Sequence, residues 1–185
     1  GTYAITPSAG SLNSNNYSFS YASGILTVNK AVLNVTADNK SKTYGSANPA
    51  FTATISGYVN GENATSAGLS GAASFSSSAI TSSAAGTYPI FPSQGTLAAA
   101  NYSFAYVNGT LTVNKASLTV TADAKTRIYG IANPVFSATY TGFVNGDNLA
   151  TSGITGEPSY VTTAIQSSAP GTYPITILSL IHISE

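Results

Sequence analysis

Asp38 and Glu62 are the carboxylates of one 85-residue stretch of this chain, and Asp123 and Asp147 stand 85 positions further on. Two acids are the minimum for glycosidase-type hydrolysis, in which one carboxyl protonates the leaving oxygen and the other, about 5 to 9.5 Å away, acts as nucleophile or base. Here they fall on separate expected turns, Asp38 before Asn39-Lys40-Ser41-Lys42 and Glu62 after Asn60-Gly61. A nucleophilic triad fares no better. Ser, Thr and Asp abound, but the one histidine, His182, lies in a C-terminal tail unlike the rest of the chain. Calcium at the joints between repeats is the remaining option, yet a site wants about six to eight oxygens with several carboxylates among them. Two distant acids per repeat do not supply that set. The absence of cysteine excludes disulfides and thiolate metal sites. The sequence therefore offers no catalytic residue, no cofactor-binding residue and no metal ligand.

What remains is recognition. The chain has 12 tyrosines, which invites a carbohydrate-stacking platform. Tyr17, Phe19 and Tyr21 alternate along one expected strand, where core packing is the favoured use, whereas Tyr44 and Tyr58 stand beside glycines and are expected to be exposed. Outside the tail the charges pair across the 85-residue period: Lys30 with Lys115, Asp38 with Asp123, Lys40 with Lys125, Lys42 with Arg127, and Glu62 with Asp147. Only Glu157 has no counterpart. Where charged residues make up 6% of the chain, such pairing points to turn hydrogen bonds or to contacts between neighbouring repeats. Zero net charge and the lack of any Lys/Arg run argue against nucleic acid. Exposed sheet edges with so few charges leave weak self-association as a further possibility.

The positioning device is a tandem repeat. Sliding Gly1 to Phe91 onto Gly86 to Thr176 gives 52 identities in 91 pairs without a gap. Repetition at this length means one folded module copied in series, which benefits reach and multivalency more than catalysis. The period divides the chain into residues 1–30, the C-terminal part of a preceding repeat; 31–115, a complete module; 116–176, a truncated module; and a tail, 177–185. After the repeated Gly171-Thr172-Tyr173-Pro174-Ile175 the register is lost abruptly. The stretch Leu178 to Glu185 resembles translated sequencing-adapter read-through, so the tail is expected to be non-native. Nine residues interrupted by His182 are too few for a membrane span, which needs about 20.

Within the complete module, Leu33, Val35 and Ala37 alternate with polar residues as a strand with one buried face does. Lys40 and Lys42 point the same way if the chain stays extended. Phe51, Ala53 and Ile55 mark a second strand, Asn60-Gly61 a tight turn, and Ala64 to Gly68 a single helical turn stopped by glycine. The Ser-rich stretch Ala72 to Ala84 reads as a loop around one short strand at Phe75. Tyr88 and Ile90 form another strand. Tyr102, Phe104 and Tyr106 line a further one, Val107-Asn108-Gly109 reads as a hairpin turn, and Leu111 and Val113 line the return strand. The expected fold class is mainly β: small β-rich modules, sandwich-like, or a β-grasp-like α+β arrangement with one short helical turn. The short connection Asn114-Lys115-Ala116-Ser117 leaves little slack, so modules are expected end to end.

The ordered set Leu-x-Val-Thr-Ala-Asp, Tyr-Gly-x-Ala-Asn-Pro, Gly-aromatic-Val-Asn-Gly-acidic, Gly-Thr-Tyr-Pro-Ile, Asn-Tyr-Ser-Phe and Gly-x-Leu-Thr-Val-Asn-Lys-Ala resembles the MBG repeat of the YGX type. The resemblance covers Gly1 to Thr176. It implies a noncatalytic, array-forming module of large bacterial cell-surface or secreted adhesins, often beside filamentous-haemagglutinin-like segments. The implied localisation is extracellular, and the role a stalk or spacer. The alternative is a weak multivalent module for carbohydrate or host protein. Expected partners are neighbouring repeats of the same chain, with glycan or a host surface protein engaged by distal regions. No binding residues carry over from the family.

Overall fold

The computed structural model describes residues 1–178; Ser179 onward, including His182 and most of the expected non-native tail, lies outside the described residues. Among the described residues all thirteen elements are strands: β1 Thr2–Ile5, β2 Gly24–Thr27, β3 Ala31–Ala37, β4 Lys40–Thr43, β5 Ala53–Ser56, β6 Ser74–Ser76 and β7 Gly86–Ser93. They continue as β8 Tyr102–Val107, β9 Gly109–Asn114, β10 Thr119–Ala122, β11 Ala138–Thr141, β12 Ser159–Val161 and β13 Thr176–Leu178. Among the described residues no helix is long and apolar enough to cross a membrane. The helical turn expected at Ala64 to Gly68 is a turn and no more. Asn63 Oδ1 accepts the Thr65 and Ser66 N–H groups, Ala67 N–H returns to the Asn63 carbonyl, and Gly68 at φ +64° ends it.

By contacts the chain groups into two compact units. One comprises Gly1–Asn39, Phe51–Ser77 and Pro89–Thr110; the other comprises Lys40–Ala50, Ser78–Tyr88 and the chain from Leu111 onward. The first contains a sheet of order β5-β3-β8, in which β3 runs antiparallel to β5 and parallel to β8. The expected alternation holds: Leu33, Val35 and Ala37 are buried. Leu33, Ala67 and Tyr102 form a core cluster against which Ile55, Tyr58 and Leu69 pack. A second sheet has the order β4-β9-β7-β6, with Ile90, Leu111 and Val113 buried. Phe51 meets Phe75 edge-on at 6.4 Å, which fixes the short β6 strand within the Ser-rich stretch.

The expected hairpin at Val107-Asn108-Gly109 is not there. β8 pairs with β3 and β9 pairs with β4, so the chain changes sheets at Asn108 instead of folding back. The parallel register is the same in both ladders: Ala31 faces Tyr102 and Lys40 faces Leu111, a separation of 71 residues each time (102 − 31 and 111 − 40). The two ladders are separated by Asp38-Asn39 on one segment and Asn108 on the other, and Asn39 Oδ1 takes up the Thr110 N–H at 2.8 Å. Gly109 is required by proximity: a Cβ there would lie 2.5 Å from the Ala37 carbonyl oxygen. The Asn-Gly pair thus marks a close approach of two strands, which sequence alone does not separate from a tight turn.

Pairings recur at the same period. Thr119 faces Thr141 as Asn34 faces Ser56, and Ser159 faces Leu178 as Ser74 faces Ser93, each shifted by 85 (119 − 34, 141 − 56; 159 − 74, 178 − 93). Ile177 and Leu178 therefore keep the backbone pairing of Pro92 and Ser93 despite the loss of sequence match. In residues 1–30, β1 pairs with β2, but Tyr17, Phe19 and Tyr21 are neither in a strand nor buried. This corrects the expected core face. Their counterparts on β8 are held by β3, and no described strand plays that part for Tyr17 to Tyr21.

Candidate functional site

Each of the four repeated acids is hydrogen-bonded. Asp38, at the end of β3, accepts the hydroxyls of Thr52 at 2.5 Å and Thr54 at 2.9 Å, tying β3 to the β5 segment. Asp123 accepts Ser137 at 2.5 Å and Thr139 at 2.7 Å in the same way. The Ser137 hydroxyl foremost, then that of Thr139, holds the Asp123 carboxyl below its ordinary value, against the opposing effect of desolvation. A carboxyl with a depressed folded-state pKa stabilises above its unfolded value and loses that contribution as pH falls through the folded one. Protection of the Asp123 amide, which donates to the Ser137 carbonyl at 2.9 Å, is therefore expected to fall, relative to intrinsic exchange, on acidification below about pH 4. Constant protection to lower pH would remove the clamp from the account.

The expectation that Lys40 and Lys42 point the same way is met, and Lys42 is the buried one, 7% exposed. Its Nζ donates to the carbonyls of Ile80 at 2.6 Å and Ser46 at 3.1 Å, while Asn48 Nδ2 donates to the Ala79 carbonyl at 2.6 Å. The Tyr-Gly-x-Ala-Asn-Pro loop is thereby pinned to the Ser-rich stretch. One period on, Arg127 donates to Ile165 at 2.5 Å and Asn133 to Ala164 at 2.8 Å. Replacing Lys42 by methionine keeps the apolar stem and leaves two carbonyls without their donor, so a loss of about 1–3 kcal/mol is expected in denaturant unfolding. An unchanged midpoint would show that the ammonium contributes nothing.

The second acid of each repeat closes a turn. In Val59-Asn60-Gly61-Glu62 the backbone passes through φ +56° at Asn60, and Glu62 N–H returns to the Val59 carbonyl at 3.0 Å. Glu62 Oε2 accepts the Tyr102 hydroxyl at 2.5 Å, and that hydroxyl accepts the Val59 N–H at 3.1 Å. The hydrogen bond to Glu62 is the chief cause that raises the Tyr102 pKa. Tyr58 packs edge-on against Tyr102 at 6.0 Å. The equivalent turn, Val144-Asn145-Gly146-Asp147, has a different tyrosine: Asp147 Oδ2 accepts the hydroxyl of Tyr44 at 2.8 Å. Tyr44 belongs to the 31–115 repeat and Asp147 to the next. Beside it Gly45, at φ +86°, approaches Val144 so closely that a Cβ would lie 2.6 Å from its Cγ2.

The exposure expected of Tyr44 and Tyr58 is thus corrected. Both are half-buried, one bonded to an acid of the following repeat and one stacked within its own core. Of the paired charges, the acids make local hydrogen bonds and one bond between repeats. Unforeseen were the Tyr102–Glu62 bond and the Asn39 bridge. A signal for the first was present: Tyr of Asn-Tyr-Ser-Phe and the acid of Val-Asn-Gly-acidic both recur in register. These carboxylates accept one or two hydroxyls each and position backbone, and the donors that hold them are Ser, Thr and Tyr.

The sequence profile described as MBG domain (YGX type) matches residues 33–112 and 118–181. No curated protein and no solved structure matches the chain. The profile's two segments fall on successive repeats and contain the Tyr-Gly loops, the acid-closed turns and β3 from Leu33 on or β10. MBG repeats are a noncatalytic module family typical of surface proteins. Through these two matched segments, the chain belongs to the MBG domain (YGX type) family and carries its modules in tandem.

Proposed function

We propose that these modules are a stalk or spacer of a bacterial cell-surface or secreted adhesin, holding a distal binding region away from the cell. The observation that supports this most is the use made of the repeated polar residues. Asp38, Glu62 and Asp123 are hydrogen-bonded within a module, and Asp147 to the preceding repeat. Taking residues 31–115 as the complete module and 116–176 as the truncated one, the strand-to-strand connection is only Lys115-Ala116-Ser117-Leu118, between β9 and β10. A short link together with the Tyr44–Asp147 bond favours a semi-stiff array.

Mechanical unfolding of a longer run of the same repeats tests the reading. It predicts evenly spaced force peaks, each releasing one 85-residue period. That corresponds to roughly 250–300 Å of extended chain. Featureless extension at low force would contradict a mechanical role. Specific retention of the chain on a glycan array would favour the multivalent binding module instead.

A further inference from the structure

The chain has three Asn-Gly pairs, Asn60-Gly61, Asn108-Gly109 and Asn145-Gly146. Asparagine before glycine is where a backbone nitrogen reaches the preceding carboxamide most easily, because glycine has no Cβ to hinder the approach. The fold gives the three pairs different surroundings. Asn60 and Asn145 are exposed, each at φ +56°, and Gly61 and Gly146 beside them are exposed too. A Cβ built on either glycine would meet nothing within 4 Å. Among the described residues, neither carboxamide and neither glycine N–H has a hydrogen-bond partner. Val144 and Asp147, at the two ends of the second turn, carry the contact with Gly45 and Tyr44, and Asn145-Gly146 stays open between them.

Asn108-Gly109 is the contrast. Gly109 is buried at the start of β9, against the Ala37 carbonyl, and the next N–H, that of Thr110, is held by Asn39 Oδ1. Bringing the Gly109 nitrogen onto the Asn108 carboxamide requires this close approach of two strands to open first.

We propose that Asn60 and Asn145 are sites of spontaneous deamidation, with water as the only co-reactant, and that the fold protects Asn108. The Gly61 nitrogen gives up its proton to base and attacks Asn60 Cγ. The new C–N bond closes a five-membered succinimide, and the carboxamide nitrogen takes up a proton and leaves as ammonia. Water then adds to one of the two ring carbonyls and breaks its bond to nitrogen, with nothing oxidised or reduced. Cleavage at Cγ gives aspartate; cleavage at the backbone carbonyl gives isoaspartate, with the chain routed through Cβ and Cγ. The Asn145-Gly146 pair reacts in the same way. Aspartate tolerates a left-handed backbone as asparagine does, so the first product keeps the turn. Isoaspartate inserts a methylene between the residues that close it, Val59 with Glu62 and Val144 with Asp147, each joined N–H to carbonyl at 3.0 Å. Either product adds a negative charge to a chain of zero net charge, two residues before the acid of that turn. At Asn145 that acid holds Tyr44, so conversion to isoaspartate loosens the contact between repeats as the chain ages.

Incubation of the full 185-residue chain in mildly alkaline heavy-oxygen water, followed by peptide mapping in a mass spectrometer, tests this. Products carrying one heavy oxygen are expected at positions 60 and 145, as a mixture of aspartate and isoaspartate. Local opening that costs only ~1.4 kcal/mol slows a reaction through the open state about tenfold, so Asn108 is expected to lag by at least that factor. In denaturant the three sites are expected to react at similar rates. Amide exchange on the converted chains separates the products: Glu62 and Asp147 should lose protection where isoaspartate precedes them and keep it where aspartate does. A folded chain inert at Asn60 and Asn145 under conditions in which the denatured chain reacts overturns the proposal, as does Asn108 reacting as fast as they do. Undiminished protection of Asp147 in the isoaspartate fraction overturns the loosening of the repeat contact.

Discussion

Replacing Leu111 with alanine is expected to destabilise the middle module by about 2–5 kcal/mol, the range for a buried leucine that leaves a cavity behind. Leu111 is fully buried on β9, the strand that joins β4 to β7, so its truncation loosens both neighbours at once. Against a total of about 5–15 kcal/mol for a domain this size, the loss is large. On the order of 10–30 °C would come off the melting temperature. Leu26 is the internal control. It occupies the same place in the same Gly-x-Leu-Thr-Val-Asn motif but is 52% exposed, and Leu26→Ala in dilute solution should change stability by no more than about 0.5 kcal/mol. Calorimetry of both variants decides the matter. Equal losses would mean that the buried and exposed copies of the motif are not distinguished as described.

The second large effect is expected at Gly45, on the contact between repeats. At φ +86° any L-residue is strained, and a Cβ would stand 2.6 and 2.7 Å from two carbons of Val144. The left-handed conformation alone costs roughly 1–2 kcal/mol, and the overlap must be relieved by moving the Tyr44–Asp147 bond out of reach. Gly45→Ala should therefore release the loop from the Val144–Asp147 turn while leaving the Leu33 and Leu111 cores intact. Nuclear spin relaxation gives the readout. Separate rotational correlation times are expected for the 44–49 loop's module and for residues 116–178, with the melting temperature of the middle module lowered by about 4–16 °C through the backbone strain alone. A variant that tumbles as the unmodified chain does would show that close packing at Gly45 is not what holds the two repeats.

The legible part of this fold was the local part. Alternation exposed β3, β5 and β9, because burial of one sheet face imposes a two-residue period on Leu33-Val35-Ala37 and on Leu111-Val113. Asn60-Gly61 was readable as a turn, since its backbone enters positive φ. What was hidden is long-range pairing. Nothing in Ala31 to Thr43 announces a parallel partner 71 residues later, and Asn108-Gly109 looks like a turn although it marks a crossing between sheets. Tyr17 to Tyr21 was misjudged for a related reason: a strand's pattern records the face it can bury, and the partner decides whether it does. Of the candidate site, the paired charges were visible from the period. The tyrosines that complete it were not, because Tyr44 and Tyr102 meet their acids 103 and 40 residues away.

The spacer account depends on the Tyr44–Asp147 contact fixing one repeat against the next. Residual dipolar couplings of backbone amides test that directly within the second unit, comparing Lys40–Ala50 with residues 116–178. A single alignment tensor is expected to fit both sets, with Tyr44 Oη at hydrogen-bond distance from Asp147. Two tensors of unequal magnitude, one for each repeat, would mean that the modules turn independently and would contradict it.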